Sequence, residues 1–138
     1  MTLEAAHQIF LNGFQTQGFD FFVRVIENPE GGLAGYLDAG KDRSSIQKGL
    51  GEIYGLYLMK EHQRQGFGEV LFRSAVEQFQ ALGMSAFRTW VLDRSPFRAF
   101  YEKRGGVLQP DQQVLTVAGT SIQLVSYRWE IAQKSLIP

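Results

Sequence analysis

The residue types and spacing with the clearest chemical meaning lie in Gln63-Arg64-Gln65-Gly66-Phe67-Gly68. Two glycines two positions apart remove the Cβ atoms that would keep a ligand off the backbone. If a helix opens here, its first N–H groups lack intrahelical acceptors. Together with the helix dipole they can hold a phosphate or pyrophosphate, with Arg64 as counter-charge. The same pattern also serves as a plain turn joining a strand to a helix, so its flanks decide its meaning.

Before the loop, Glu52 to Met59 is dense in Ile, Tyr and Leu and reads as a strand. Strict alternation puts Glu52, Tyr54, Leu56 and Leu58 on one face and Ile53, Gly55, Tyr57 and Met59 on the other. Both faces are largely apolar, which predicts a central strand. After the loop, Phe67, Val70, Leu71, Ala75, Phe79 and Leu82 form one helical stripe, and Gly83 supplies its stop. Ser85 to Leu92 then reads as a second strand, parallel to the first because a helix crosses between them. Ser95-Pro96 is a hydroxyl cap followed by proline at the first helical position. Phe97, Phe100 and Tyr101 fall on neighbouring turns of this short helix before Gly105-Gly106 ends it.

Elsewhere, Thr2 predicts the start of a helix with Leu3, Ala6, Ile9, Phe10 and Phe14 on its core face and Gly18 just beyond its end. Phe19 to Glu27 and Leu33 to Ala39 predict a hairpin across Asn28 to Gly32, and Gln112 to Val117 with Ile122 to Trp129 predict a terminal one. Gly40 to Gly49 is polar and reads as an exposed loop. The order α, β-β-β, α, β, α, β-β predicts an α/β domain, a central mixed sheet flanked by helices on both sides, in a single unit over 1–138. Gly35 to Asp42 nearly spells a nucleotide-binding P-loop, but Asp42 replaces the required hydroxyl and the segment alternates like a strand.

The central stretch resembles motif A of the GNAT superfamily of N-acetyltransferases, a strand followed by Gln/Arg-x-x-Gly-x-Gly/Ala, present here as Gln63, Gly66 and Gly68. Trp90 to Gly106 is similar to the family's downstream segment, a strand and then Asn-x-x-x-x-x-Phe-Tyr-x-x-x-Gly, with Phe100-Tyr101 as the aromatic pair and Ser95 where asparagine is common. The resemblance implies the GNAT fold, acetyl-CoA as co-substrate and an amine as acceptor. It implies that the amides of Gln63, Arg64, Gln65, Gly66, Phe67 and Gly68 bind the pyrophosphate. The main chain at Leu56, Tyr57 and Leu58 would pair with the pantetheine arm, and Ser95 would cap its helix and reach the same arm.

Family members usually have a further strand and helix ahead of the point where this chain begins. The chain thus reads as lacking the usual first strand. Three readings of this stand open: the strand is absent from the fold, it belongs to a longer natural chain, or a partner subunit replaces it in a homodimer.

The resemblance also implies that Tyr101 is the general acid that protonates the departing sulfur; the alternative is that its ring packs with Phe97 and Phe100. Glu52, an acid at the start of an apolar strand, is the candidate general base, its pKa raised by burial and its proton relayed by water. The alternative for Glu52 is an ion pair at a strand edge. A catalytically silent acyl-CoA binding module is the competing function, and a phosphate-binding regulatory domain using the Gly66 loop is another.

Composition narrows the field. At 138 residues with 44% hydrophobic content, the chain is long enough for one real core. Lys plus Arg equals Asp plus Glu at 14 each, so no general field attracts nucleic acid or an anionic membrane. No apolar run approaches a bilayer span. The absence of cysteine removes a thiolate nucleophile and a thiolate-ligated metal, and His7 and His62 are too few and too far apart for a metal centre. Both histidines read as solvated. No basic region precedes an apolar run at the N-terminus, so the cytoplasm is the expected location.

Overall fold

In the computed structural model, residues 9–12, 15–16, 19–44 and 49–132 are described. The strands are β1 (Ile9–Asn12), β2 (Gln15–Thr16), β3 (Phe19–Glu27), β4 (Leu33–Lys41), β5 (Leu50–Leu58), β6 (Ala86–Leu92), β7 (Val107–Val117) and β8 (Thr120–Glu130). The helices are α1 (Phe67–Ala81) and α2 (Phe97–Lys103). The strands form one 8-stranded sheet in the order β1-β3-β4-β5-β6-β8-β7, with β2 paired to β3. Every pairing is antiparallel except β5 with β6, the two strands joined through α1.

The α1 stripe is buried as the spacing predicts, at Phe67, Leu71, Phe72, Ala75 and Phe79. Leu82 departs from it, lying exposed at the helix end, where Gly83 takes the left-handed conformation (φ 76) that closes the last turn. The core runs as a line of rings: Phe79 stacks on Phe87 of β6 at 4.9 Å, and Phe87 stacks on Trp129 of β8 at 4.8 Å. Phe72 reaches both Trp129 and Phe100 of α2, so both described helices pack on one face of the sheet, not one on each side. Among the described residues no helix is long and apolar enough to cross a membrane.

At the N-terminus the structure corrects the sequence. Ile9 and Phe10, expected in a helix, lie in β1 and pair with Ile26 and Val25 of β3. An unbroken Ile-Phe-Leu run suits a pleated strand, and the edge of β3 offers the hydrogen bonds that the helix would otherwise have to make alone. The edge expected to lack a strand is therefore filled. Thr2, Leu3, Ala6, His7, Phe14 and Gly18 lie outside the described residues.

A second correction concerns β5. Asp38 of β4 pairs with Gly55 and Ala39 with Ile53, leaving Tyr54 as an extra residue, a β-bulge. The bulge shifts the phase of the strand. Leu56 and Leu58 share the helix-covered face with Ile53, whereas Gly55 and Tyr57 share the opposite face with Glu52.

His62 is buried rather than solvated. It sits in a single 3₁₀ turn (Lys60–His62) with its ring 5.7 Å from Phe67, and its Nε2 lies 3.2 Å from the amide nitrogen of Asn28. The same Asn28 side chain accepts from the N–H groups of Glu30 and Gly32, so one residue shapes the β3–β4 turn and ties it to the chain entering the glycine loop.

Candidate active site

β5 and β6 are paired only from Leu50↔Ala86 to Ile53↔Thr89. Beyond that point β5 continues to Leu58 and β6 to Leu92 without pairing to each other, and the bulge at Tyr54 sits where they part. The result is a cleft in the sheet, with the edge of β5 after the bulge, up to the Leu58 carbonyl that Gln63 takes, free to pair with something other than protein.

Tyr101 marks the closed end of the cleft. It is 4% exposed on the helix-covered face, among the rings of Phe97, Phe100, Tyr127 and Trp129. Its hydroxyl is hydrogen-bonded with Thr89, whose own hydroxyl donates to the Ile53 carbonyl at 2.9 Å. Burial pushes the Tyr101 phenol up and the Thr89 hydrogen bond pulls it partly back, so the group is protonated at neutral pH.

The glycine loop marks the open end. Gln63 donates through Nε2 to the Leu58 carbonyl at 3.3 Å, tying the loop to the end of β5, and Gln65 donates to the Glu61 carbonyl. Arg64 (φ 66) and Gly66 (φ 86) are both left-handed, a turn that presents successive N–H groups to one side. No side chain caps α1, and its first internal bond runs from the Val70 N–H to the Gly66 carbonyl. The N–H groups of Phe67, Gly68 and Glu69 therefore have no intrahelical acceptor. The Phe67 side chain is core, which leaves only its backbone available to a ligand.

Gly68 has a packing reason beside the one its motif suggests. A Cβ there would come within 3.0 Å of the Phe100 ring and 3.3 Å of Leu58, so the missing side chain lets α1, α2 and β5 meet. Ser95 caps α2 as expected, its Oγ accepting from the Phe97 N–H at 3.0 Å, which leaves its own proton free to donate. Alongside the loop, Arg104 stacks on Phe100 and lies 2.5 Å from the Glu69 carboxylate, off the line of a hydrogen bond. Arg104 thus offsets the negative charge in the first turn of α1. Lys103 lines the same groove.

Glu52 is buried, on the face opposite Tyr101. Its oxygens are both engaged by Arg43: Oε1 accepts from the Arg43 N–H at 2.9 Å, and Oε2 pairs with Nη2 at 2.8 Å. Of the two readings open for Glu52, its surroundings match an ion pair, though a buried one. Next to it, Asp42 is held by Arg88 at 2.9 Å, and Arg88 reaches Asp111 at 3.2 Å. Two groups near the cleft were missed by the sequence reading. Thr89 gave no signal. Asp38 gave one, a carboxylate between Leu37 and Ala39 in an otherwise apolar strand.

Residues 3–106 match the model of the Acetyltransferase (GNAT) family. The chain belongs to that family. It is 29% identical over 107 residues to an uncharacterized N-acetyltransferase, YuaI, of Bacillus subtilis, covering 78% of this chain and 61% of that relative. Among solved structures, an acetyltransferase of Bacillus subtilis in complex with CoA superposes with a TM-score of 0.67 at 15% identity, covering 91% of this chain and 100% of that one. The IAA acetyltransferase of Bacillus cereus gives 0.68 at 16% identity, covering 89% and 99%. These likenesses establish the GNAT fold and the mixed sheet of this chain.

Proposed function

We propose that this GNAT protein transfers an acetyl group from acetyl-CoA to a primary amine of a small molecule or peptide, by direct attack within a ternary complex. The observation that carries the reading is the cleft between β5 and β6, bounded at one end by Tyr101 and Thr89 and at the other by the uncapped start of α1. The free donors fit a pyrophosphate, and the unpaired edge of β5 fits an amide-bearing chain.

In this reading the amides of Arg64 to Gly68 hold the pyrophosphate, with Arg64 as counter-charge, while Gln63, its N–H given to the Lys60 carbonyl, braces the loop. Leu56, Tyr57 and Leu58 present the main-chain edge, and Ser95 donates from the far side. Bound acetyl-CoA supplies an activated thioester. Tyr101, kept protonated by burial, gives its proton to the leaving sulfur. Holding both reactants in one cleft supplies much of the rate, and no covalent enzyme intermediate is required. Glu52 relays a proton only when the Arg43 pair opens, which argues against it as the first acceptor of the amine's proton.

The test is a melting curve with and without acetyl-CoA for the protein, Gly66→Glu and Tyr101→Phe, together with coenzyme A release across a panel of amines. Ligand at a hundred times its dissociation constant stabilises by about 2.7 kcal/mol. The protein and Tyr101→Phe should both be stabilised and Gly66→Glu should not, while Tyr101→Phe releases thiol roughly 100-fold more slowly. Stabilisation with no release across the panel would instead mark a silent acyl-CoA binding module.

A further inference from the structure

The sheet face opposite the helices carries three acids beside the cleft, Asp38, Asp42 and Glu52, and they differ in one respect. Glu52 and Asp42 are held by Arg43 and Arg88. Among the described residues no side chain hydrogen-bonds Asp38; its hydrogen bond is with its own backbone. The Asp38 carboxylate lies across β5 at Gly55, close enough that a Cβ on Gly55 would stand 2.8 Å from Oδ1. Gly55 is the second residue past the last β5–β6 pair, so the carboxylate overhangs the strand where the cleft begins.

Two residues along the same face, Tyr36 and Tyr57 face each other in register with ring centroids 5.7 Å apart, and they are 39% and 49% exposed. At about 3.3 Å per residue this puts an open aromatic pair about 7 Å from the carboxylate. A carboxylate beside such a pair suits an ammonium group attached to an apolar body.

We propose that Asp38 binds the acceptor's ammonium group and removes its proton, and that the acceptor is a primary alkylamine whose apolar or aromatic body lies on Tyr36 and Tyr57. This rests on the acetyltransferase reading. The alkylammonium gives one proton to the Asp38 carboxylate, which passes it to solvent. The freed lone pair forms the N–C bond at the thioester carbonyl, the C–S bond breaks, and the sulfur takes the Tyr101 proton. The nitrogen sheds its second proton to solvent, from which Tyr101 is restored.

The groups facing Asp38 agree with this role. Burial moves its carboxyl above the ordinary range, and the Arg43 guanidinium pulls it partly back. Tyr54, the other titratable neighbour, is pushed up to about 12 by burial and by the Glu52 charge, and donates to the Lys41 carbonyl, so it cannot serve as the base.

The test uses two amines, 2-phenylethylamine, an ammonium at pH 7, and aniline, already neutral there. For Asp38→Asn, acetyl-CoA should raise the melting temperature as much as it does for the unmodified protein. Turnover of 2-phenylethylamine should fall roughly 100-fold while turnover of aniline changes only a few-fold. Calorimetric binding of 2-phenylethylamine in the presence of coenzyme A should weaken at least about tenfold. Equal loss with both amines, or none with 2-phenylethylamine, overturns the assignment. Thiol release with other amines of the panel but not with 2-phenylethylamine likewise overturns the assignment and leaves the acetyltransferase reading standing, whereas an unmodified protein that acetyl-CoA does not stabilise, or that releases no thiol across the whole panel, ends that reading and this assignment with it.

Discussion

The hydroxyl of Thr89 donates to the carbonyl of Ile53 over 2.9 Å, at the last position where β5 and β6 are paired. The same hydroxyl is the hydrogen-bond partner of Tyr101. One small residue thus fixes where the cleft ends and what faces its floor. Thr89→Val keeps the shape and removes both bonds. It should destabilise the protein by about 1–3 kcal/mol, the cost of leaving buried polar groups unpaired. Because the Thr89 bond pulls the Tyr101 phenol down, its loss should move that phenol further up. Denaturant titration reads the first effect, and absorbance titration of the tyrosines against a Tyr101→Phe control reads the second.

Gly66 and Gly68 are two positions apart in one motif but should respond differently to alanine. Gly66 holds φ 86, so alanine there incurs the left-handed penalty of about 1–2 kcal/mol and distorts the amides proposed to hold the pyrophosphate. Gly68→Ala instead drives a methyl into Phe100 and Leu58, an overpacking cost of about 1–3 kcal/mol. Measured side by side, Gly66→Ala should lose the acetyl-CoA melting shift to a greater extent than Gly68→Ala for a similar loss of stability. The reverse order would mean that the second glycine, not the first, meets the ligand.

What was legible in the sequence was local. The α1 stripe and the Gly83 stop are written in a 3.6-residue period and a single punctuating glycine, and Ser95-Pro96 announces its helix in two residues. The faces of β5 were not legible, because one extra residue, Tyr54, inverts the phase for everything after it and only the partner strand reveals the bulge. Glu52 could be picked out as a buried acid, but Arg43 could not be picked out as its partner, since that pairing depends on how the chain leaves β4. Asp38 acquires its position only from Gly55 on the neighbouring strand, a relationship that no single stretch contains. Ile9 to Leu11 fits a helix face and a strand equally well, and the open edge of β3 decides between them.

The β7–β8 turn contains a testable imperfection. Ala118 (φ 50) and Gly119 (φ 79) join the paired residues Val117 and Thr120, the two-residue turn in which both central positions are left-handed. Glycine suits this and alanine does not. Ala118→Asn should stabilise the protein by about 0.5–1 kcal/mol, seen as a higher denaturant midpoint with an unchanged slope. No change in the midpoint would mean that the hairpin is already open where global unfolding is measured.

Asp38 should cost the protein stability at neutral pH. Its folded carboxyl is raised above the ordinary value of 3.8 by burial, so the folded state holds the proton more tightly than the unfolded chain does. The sign follows directly: the contribution of Asp38 is fully present below pH 3.8 and is lost as pH rises through the folded value. Asparagine carries no charge to desolvate. Asp38→Asn should therefore be more stable than the parent at pH 7, by about 0.5 kcal/mol or less once solvent screening is allowed for, and the advantage should vanish near pH 3. Denaturant midpoints for both proteins at the two pH values check this. If the variant is instead less stable at pH 7, the carboxylate is contributing a favourable ion pair with Arg43, and its freedom to receive an ammonium group is gone.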